Sequence, residues 1–405
     1  MKIPPKPKKI TKKLANHGDE RIDYYYWLRD DKRKNKKILS YLKQENKYTD
    51  QWFKDNKVNS KKIFERYKEF LPKSEKSVET NIDGVSYYFQ TSISTEYNKY
   101  YQIKNKKKKL ILDVNQLAKN KKYYEISSVF PSRNHKYLAY CEDINGRRDF
   151  HIVIKDLTKN KIVEKNKIPS TGSLIWNKKS SGYFYLKKDP TTLVTNSLFF
   201  HEIGTNHKKD KLIYKEKDNQ FNLSISLSRT KRYLFLQASK TESNETWILD
   251  LENESFNLKC FLKRKNKHKY YIDDTPKFFF ILSNKNNNKN YALYRTDLNN
   301  TSTHNWKIFI NHKKNELIED FLCFKDFVLL QTRKNGLPCL IQVDRKNKKK
   351  TYIDLKDEVY TVNLTNNNNY KASSFCFVFS SLKTPSSIYS QDLYSKKRKK
   401  IWSQK

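Results

Sequence analysis

Nucleophilic catalysis needs a serine or cysteine with a histidine in reach and a third group to orient that histidine. The chain carries eight histidines, but none lies beside a glycine-flanked serine, and no G-x-S-x-G elbow occurs. Gly172-Ser173 in STGSLIW lacks the second glycine and opens an apolar run, so it reads as a turn. Phosphate-loop, H-E-x-x-H and calcium-loop patterns are missing too. Cys141, Cys260, Cys323, Cys339 and Cys376 form no C-x-x-C pair and have no metal-ligand spacing, so reduced core thiols are expected, with no metal and no cofactor. One charged constellation stands out. Glu142-Asp143 is followed, across Asn145-Gly146, by Arg147-Arg148. It reads either as a hairpin closed by a surface salt bridge or as a charged rim facing another domain or a cationic peptide.

The composition limits what these groups could serve. With 405 residues, 36% hydrophobic, the chain is long enough for a large modular core. The net charge of +41, from 84 Lys+Arg against 43 Asp+Glu, would suit nucleic acid. Lys, Asn, Ile, Tyr and Phe are nevertheless enriched along the whole length, as an A/T-rich coding genome enforces regardless of function. The basic runs Lys104–Lys109 and Lys346–Lys350 also fall between apolar runs, where solvated hairpin turns belong. No specific nucleic-acid partner is therefore expected. The basic N-terminus has no apolar stretch behind it and no run is long enough to span a bilayer, so the expected location is cytoplasmic, without a membrane partner.

Two textures must position the charged groups. From Tyr24 to Leu71 apolar residues recur at helical spacing, predicting two or three helices closed by Pro72. Beyond it come short runs rich in Tyr, Phe, Ile, Val and Thr, separated by Asn, Lys, Asp and Ser, with no convincing helix. They fall into seven groups of three or four at a period of roughly 40–50 residues, the signature of a β-propeller. The later groups are predicted to begin at Leu212, Cys260, Trp306 and Tyr352. IVIKDL, WILDL, YRTDL and YSQDL each end a group and suit an outer strand running into a turn.

Several segments together resemble the oligopeptidase B branch of the prolyl oligopeptidase family of serine peptidases. They are HGDERIDYYYWLRDD (His17–Asp31), YLKQEN, AYCEDINGRRDFHIVIKDL (Ala139–Leu157), GSLIW, FHEIGTNHKKDKLIYKEKDNQF (Phe200–Phe221), NYALYRT, RKNGL and SSLKTP, in family order along the chain. The resemblance marks Arg21, Asp23, Tyr26, Trp27, Leu28, Arg29 and Asp30 as structural signature residues. It implies an all-β fold, a seven-bladed propeller over 76–405, preceded by a helical segment over 1–75 that packs on an α/β-hydrolase domain. It further implies an endopeptidase acting on short peptides after Lys or Arg, with the propeller gating access.

In that family the catalytic Ser, Asp and His follow the propeller, and most of the acids that hold the substrate's basic side chain do too. The resemblance therefore assigns no catalytic residue here and implies that the chain alone is inactive. Its partners would be a separate or lost hydrolase domain and, once assembled, short cationic peptides. Its excess positive charge would repel such peptides. The alternative is a non-enzymatic propeller that binds peptides or proteins.

Overall fold

Residues 3–166, 168–253 and 255–404 are described by a computed structural model. Contacts divide the chain into Met1–Pro72 and Lys73–Lys405.

The first unit opens with a hairpin, Lys12–Asn16 against Asp19–Asp23, which the helical reading of this segment did not include. His17 and Gly18 turn it with φ of 53° and 81°, the left-handed pair that a tight hairpin requires. Helices α1 (Lys36–Asp55) and α2 (Ser60–Glu69) follow a single 3-10 turn at Tyr26–Leu28. Each is capped by an asparagine: Asn35 Oδ1 accepts from Lys37 N at 3.0 Å, and Asn59 Oδ1 from Lys62 N at 2.9 Å.

In the second unit the described residues form seven antiparallel sheets, each built from strands consecutive in sequence. This is a seven-bladed propeller. Lys104–Lys109 and Lys346–Lys350 both contain hairpin turns. One short helix, α3 (Val114–Ala118), interrupts the strand texture between the first and second blades.

The second strand of a blade shows why the pattern was readable. In Tyr137–Asp143, Leu138 and Tyr140 point into the cluster shared with the first blade, while Ala139 and Cys141 point into the one shared with the third. Phe279 and Ile281 against Phe280 and Leu282 repeat this in the fifth blade. A strand with a blade on each side buries both of its period-2 faces and reads as a continuous apolar run.

The outermost strands Lys211–Lys215, Leu258–Leu262, Lys307–Ile310 and Lys350–Tyr352 close the third to sixth blades. The sequence grouping had assigned their apolar residues to the blade that follows. Likewise, the Asp-Leu endings terminate third strands. Asp156 and Asp392 accept N–H bonds from the turn that leads outward. Leu157, Leu251 and Leu393 then donate to the carbonyls of Lys136, Arg232 and Ser373, just before the second strand of their own blades.

Six hydrophobic clusters fill the junctions from first–second to sixth–seventh blade. Among the described residues no such cluster joins the seventh blade to the first. Strand Ser374–Ser381 records this: Phe375, Phe377 and Phe379 are buried toward the sixth blade, while Cys376 and Val378 between them stay half-exposed. A cavity of about 470 Å³ occupies the seam, lined by Tyr87, Phe89, Tyr100, Ile388 and Trp402 among others.

Candidate functional site

Within a blade the chain runs from inner to outer strand, so the fourth strand ends where the first began. Ser74 pairs with Ser92, and Ser403 with Ser387, each at the end of its blade that carries the turn between second and third strands. Both ends of the propeller thus emerge on one face. The turn of the second blade on that face holds Glu142, Asp143, Arg147 and Arg148.

The structure separates these four residues. Glu142 and Asp143 are 2% and 0% exposed, whereas Arg147 and Arg148 are exposed. Asp143 accepts N–H bonds from Asn145, Gly146 and Arg148 at 2.7–3.1 Å, which shapes the turn. Glu142 accepts the Tyr124 hydroxyl at 2.6 Å and pairs with Lys165, with Lys121 at 4.0 Å. Burial opposes its ionisation, but Lys165 and Tyr124 outweigh that and hold its carboxyl below the usual range. Among the described residues no ion pair joins either acid to either arginine, so the salt-bridged form of the hairpin is not what the chain builds.

Gly172, with φ of +84°, is a turn residue. An added Cβ would meet Ser127 Oγ at 2.7 Å and the Phe150 ring at 2.8 Å. Cys141 and Cys323 are buried free thiols, and burial pushes Cys141 up to about 12.

The signature residues of the first unit make local structure. Asp23 accepts from Tyr25 N at 2.8 Å, and Trp27 Nε1 donates to the Lys8 carbonyl at 2.8 Å. Asp30 receives Lys34 N at 2.6 Å and Asn35 N at 2.7 Å, anchoring the start of α1, while Arg29 pairs with Asp31. Arg21 and Tyr26 are exposed and Leu28 half-buried.

On the opposite face the turns between first and second strands meet across the ring. Arg229, in the fourth blade, donates from Nε to the Cys323 carbonyl at 2.7 Å and from its terminal nitrogens to the carbonyls of Asn367 and Asn369. Its backbone N–H reaches Asp273 at 2.8 Å. Lys231 bonds Asp83 of the first blade at 2.7 Å, and Arg133 of the second donates to the Lys231 carbonyl at 2.7 Å. These bonds join blades that are not neighbours, so the turns at this end are tied to one another across the ring. Arg133 and Arg229 occupy equivalent places in SRNHKY and SRTKRY, whose serines each accept from the tyrosine N–H five residues on.

A second buried polar cluster gives FHEIGTNHKKD a physical meaning. His201, fully buried on the third blade, lies between Glu164 of the second blade (3.0 Å from Nε2) and Asp210 (2.6 Å from Nδ1). Gly204 N and the Tyr183 hydroxyl donate to Glu164, and the Tyr185 hydroxyl to Asp210. Burial disfavours the His201 imidazolium, but the two carboxylates prevail and raise its pKa. The signal in the sequence was the histidine, glycine and aspartate of that segment. The partner Glu164 lies in an unremarkable lysine-rich run.

The chain matches the model of the prolyl oligopeptidase N-terminal β-propeller domain over residues 4–404. It is 26% identical to dipeptidyl aminopeptidase BI of Pseudoxanthomonas mexicana, over 96% of this chain and 56% of that protein. It is also 26% identical to Protease 2 of Moraxella lacunata, over 97% and 57%. Oligopeptidase B from Leishmania major superposes with a TM-score of 0.93 at 20% identity, covering 100% of this chain and 61% of that one. That from Trypanosoma brucei, with covalently bound antipain in a closed form, gives 0.91 at 22%. The chain thus spans little more than half the length of these relatives. Among the described residues no helix is long and apolar enough to cross a membrane.

Proposed function

The chain belongs to the prolyl oligopeptidase family as its N-terminal β-propeller domain, and from this we propose that it is the propeller half of an oligopeptidase B-like serine endopeptidase. The whole enzyme would cleave short peptides after Lys or Arg. The observation that carries the reading is the common face on which both ends of the propeller emerge. A catalytic domain continuous with the chain there would cap the channel, and the bridged opposite end would limit entry to the capped side. Gating then falls to the interdomain face, where we assign an interdomain role to Arg147 and Arg148. Glu142 and Asp143, being buried, support that turn from beneath.

The first unit supports the same partner. Phe64, Tyr67 and Phe70 stand 61%, 69% and 77% exposed at helical spacing along α2 and its end. A row of large apolar residues this open marks a surface built to be covered. The sequence holds no G-x-S-x-G elbow, and on this reading the chain alone is inactive. The test is hydrolysis of an Arg-containing chromogenic peptide by the purified chain, alone and mixed with a family hydrolase domain. We expect no turnover alone, and complex formation in the mixture. Turnover by the chain alone, sensitive to serine-directed inhibitors, defeats the proposal. A soluble, cooperatively folding monomer that ignores the hydrolase domain favours the peptide-binding module instead.

A further inference from the structure

Asp210 holds two imidazoles at once. Oδ1 accepts from His201 Nδ1 at 2.6 Å and Oδ2 from His207 Nδ1 at 3.3 Å. Both Nδ1 atoms thus face Asp210, and both Nε2 atoms face Glu164, which lies 3.0 Å from His201 Nε2 and 3.9 Å from His207 Nε2. His207 Nε2 is buried and has no hydrogen-bond partner.

The charges point the same way. The side chains of Glu164 and Asp210 are 9% and 3% exposed. Among the described residues neither pairs with a lysine or arginine, in a chain where these outnumber acids 84 to 43. One proton on His201 Nε2 would serve that contact but leave His207 Nε2 idle and one buried negative charge unmatched.

We propose that Glu164, His201 Nε2 and His207 Nε2 bind a divalent transition metal of the zinc class, with Asp210 as the outer carboxylate that orients both histidines. Two imidazoles and one carboxylate suit zinc and disfavour magnesium or calcium, and a carboxylate behind a ligating histidine is the usual support. The ligand atoms lie within 4.8 Å of one another, while tetrahedral zinc at ~2.0–2.1 Å brings them to roughly 3.4 Å. Closure requires His207, stacked on His201 at 3.9 Å between centroids, to tilt out of its stack. Its place on a turn, with 17% of the side chain exposed, allows that. No metal is expected from the sequence because Glu164 comes from another blade, which leaves no ligand spacing along the chain. The site would pin the outer strand of the second blade to the third.

The test uses the tag-free, chelator-stripped full chain in equilibrium dialysis against zinc, with cobalt as a spectroscopic probe. The expected result is one tight equivalent, a tetrahedral cobalt absorption and a Tm raised by zinc. His207→Ala, on its partly exposed turn, should keep the metal-free Tm yet lose zinc affinity by more than about tenfold. Asp210→Asn should weaken it by about 10–100-fold. No stoichiometric binding, or binding unchanged in His207→Ala, overturns the site.

Discussion

Arg229 Nε donates to the carbonyl of Cys323 at 2.7 Å, joining the fourth blade to the sixth past the one between them. The same guanidinium serves Asn367 and Asn369 of the seventh. Removing it takes one donor group from carbonyls on two other blades and leaves the acids beside it without their cation. Arg229→Met should lower stability to urea by about 3 kcal/mol or more. Arg229→Lys, which keeps the charge but lacks the planar fork, should fall between. A loss below about 1 kcal/mol for Arg229→Met would show that the bridge carries little.

Asp273, beneath Arg229, is a carboxyl that burial pushes up to about 7, with Asp274 adding to the shift and the Arg229 charge and the N–H groups of Arg229 and Asp274 opposing it. Cys323 lies in the same pocket. In the unfolded chain the group titrates near ~4. Between these values the folded protein holds more protons, so its stability falls as pH rises through the window and is level above it. Asp273→Asn should gain about 1–2 kcal/mol at pH 8 and nothing near pH 4. Denaturation curves whose slope with pH is the same in both proteins would refute the assignment.

The seam between the seventh and first blades should be the softest junction. Trp176, buried, stacks on Tyr137 and donates to the Phe130 carbonyl at 3.0 Å, whereas Trp402 lines the seam cavity half-exposed. Trp176→Ala should cost about 3–5 kcal/mol and Trp402→Ala less than about 1 kcal/mol. Hydrogen exchange should likewise be faster in Val85–Ser92 and Ser374–Ser381 than in Tyr137–Asp143 or Phe278–Ser283. Equal protection across all four strands would contradict it.

Gly182 starts the second strand of the third blade against the backbone of its neighbour. A Cβ there would sit 2.3 Å from the His201 carbonyl and 2.6 Å from the Phe200 ring. Gly182→Ala should destabilise by about 3 kcal/mol, read as a lower urea midpoint. A neutral substitution would mean that these strands part more easily than their register suggests.

The part of the fold written locally in the residues was periodic. Strands buried on both faces, such as Tyr137–Asp143 and Phe278–Ser283, produce apolar runs wherever they fold, and their recurrence counted the blades. The helical spacing of α1 and α2 was equally local. The hairpin over residues 12–23 escaped because its short strands carry only Leu14, Ala15 and Ile22 as apolar residues. The outermost strands were grouped with the wrong blade because little in a lysine-rich strand says which neighbour it pairs with; hydrogen bonding across the sheet decides that. Glu142 and Asp143 looked like a charged rim because a carboxylate's partners, here Tyr124, Lys165 and backbone N–H groups, are chosen by the fold. The cross-ring reach of Arg229 and the meeting of Glu164 with His201 and His207 are likewise decisions of tertiary structure. Each joins groups far apart in the chain: the packing of neighbouring blades brings Glu164 to His201, and the closing of the blades into a ring brings Arg229 to Cys323 and Asn367.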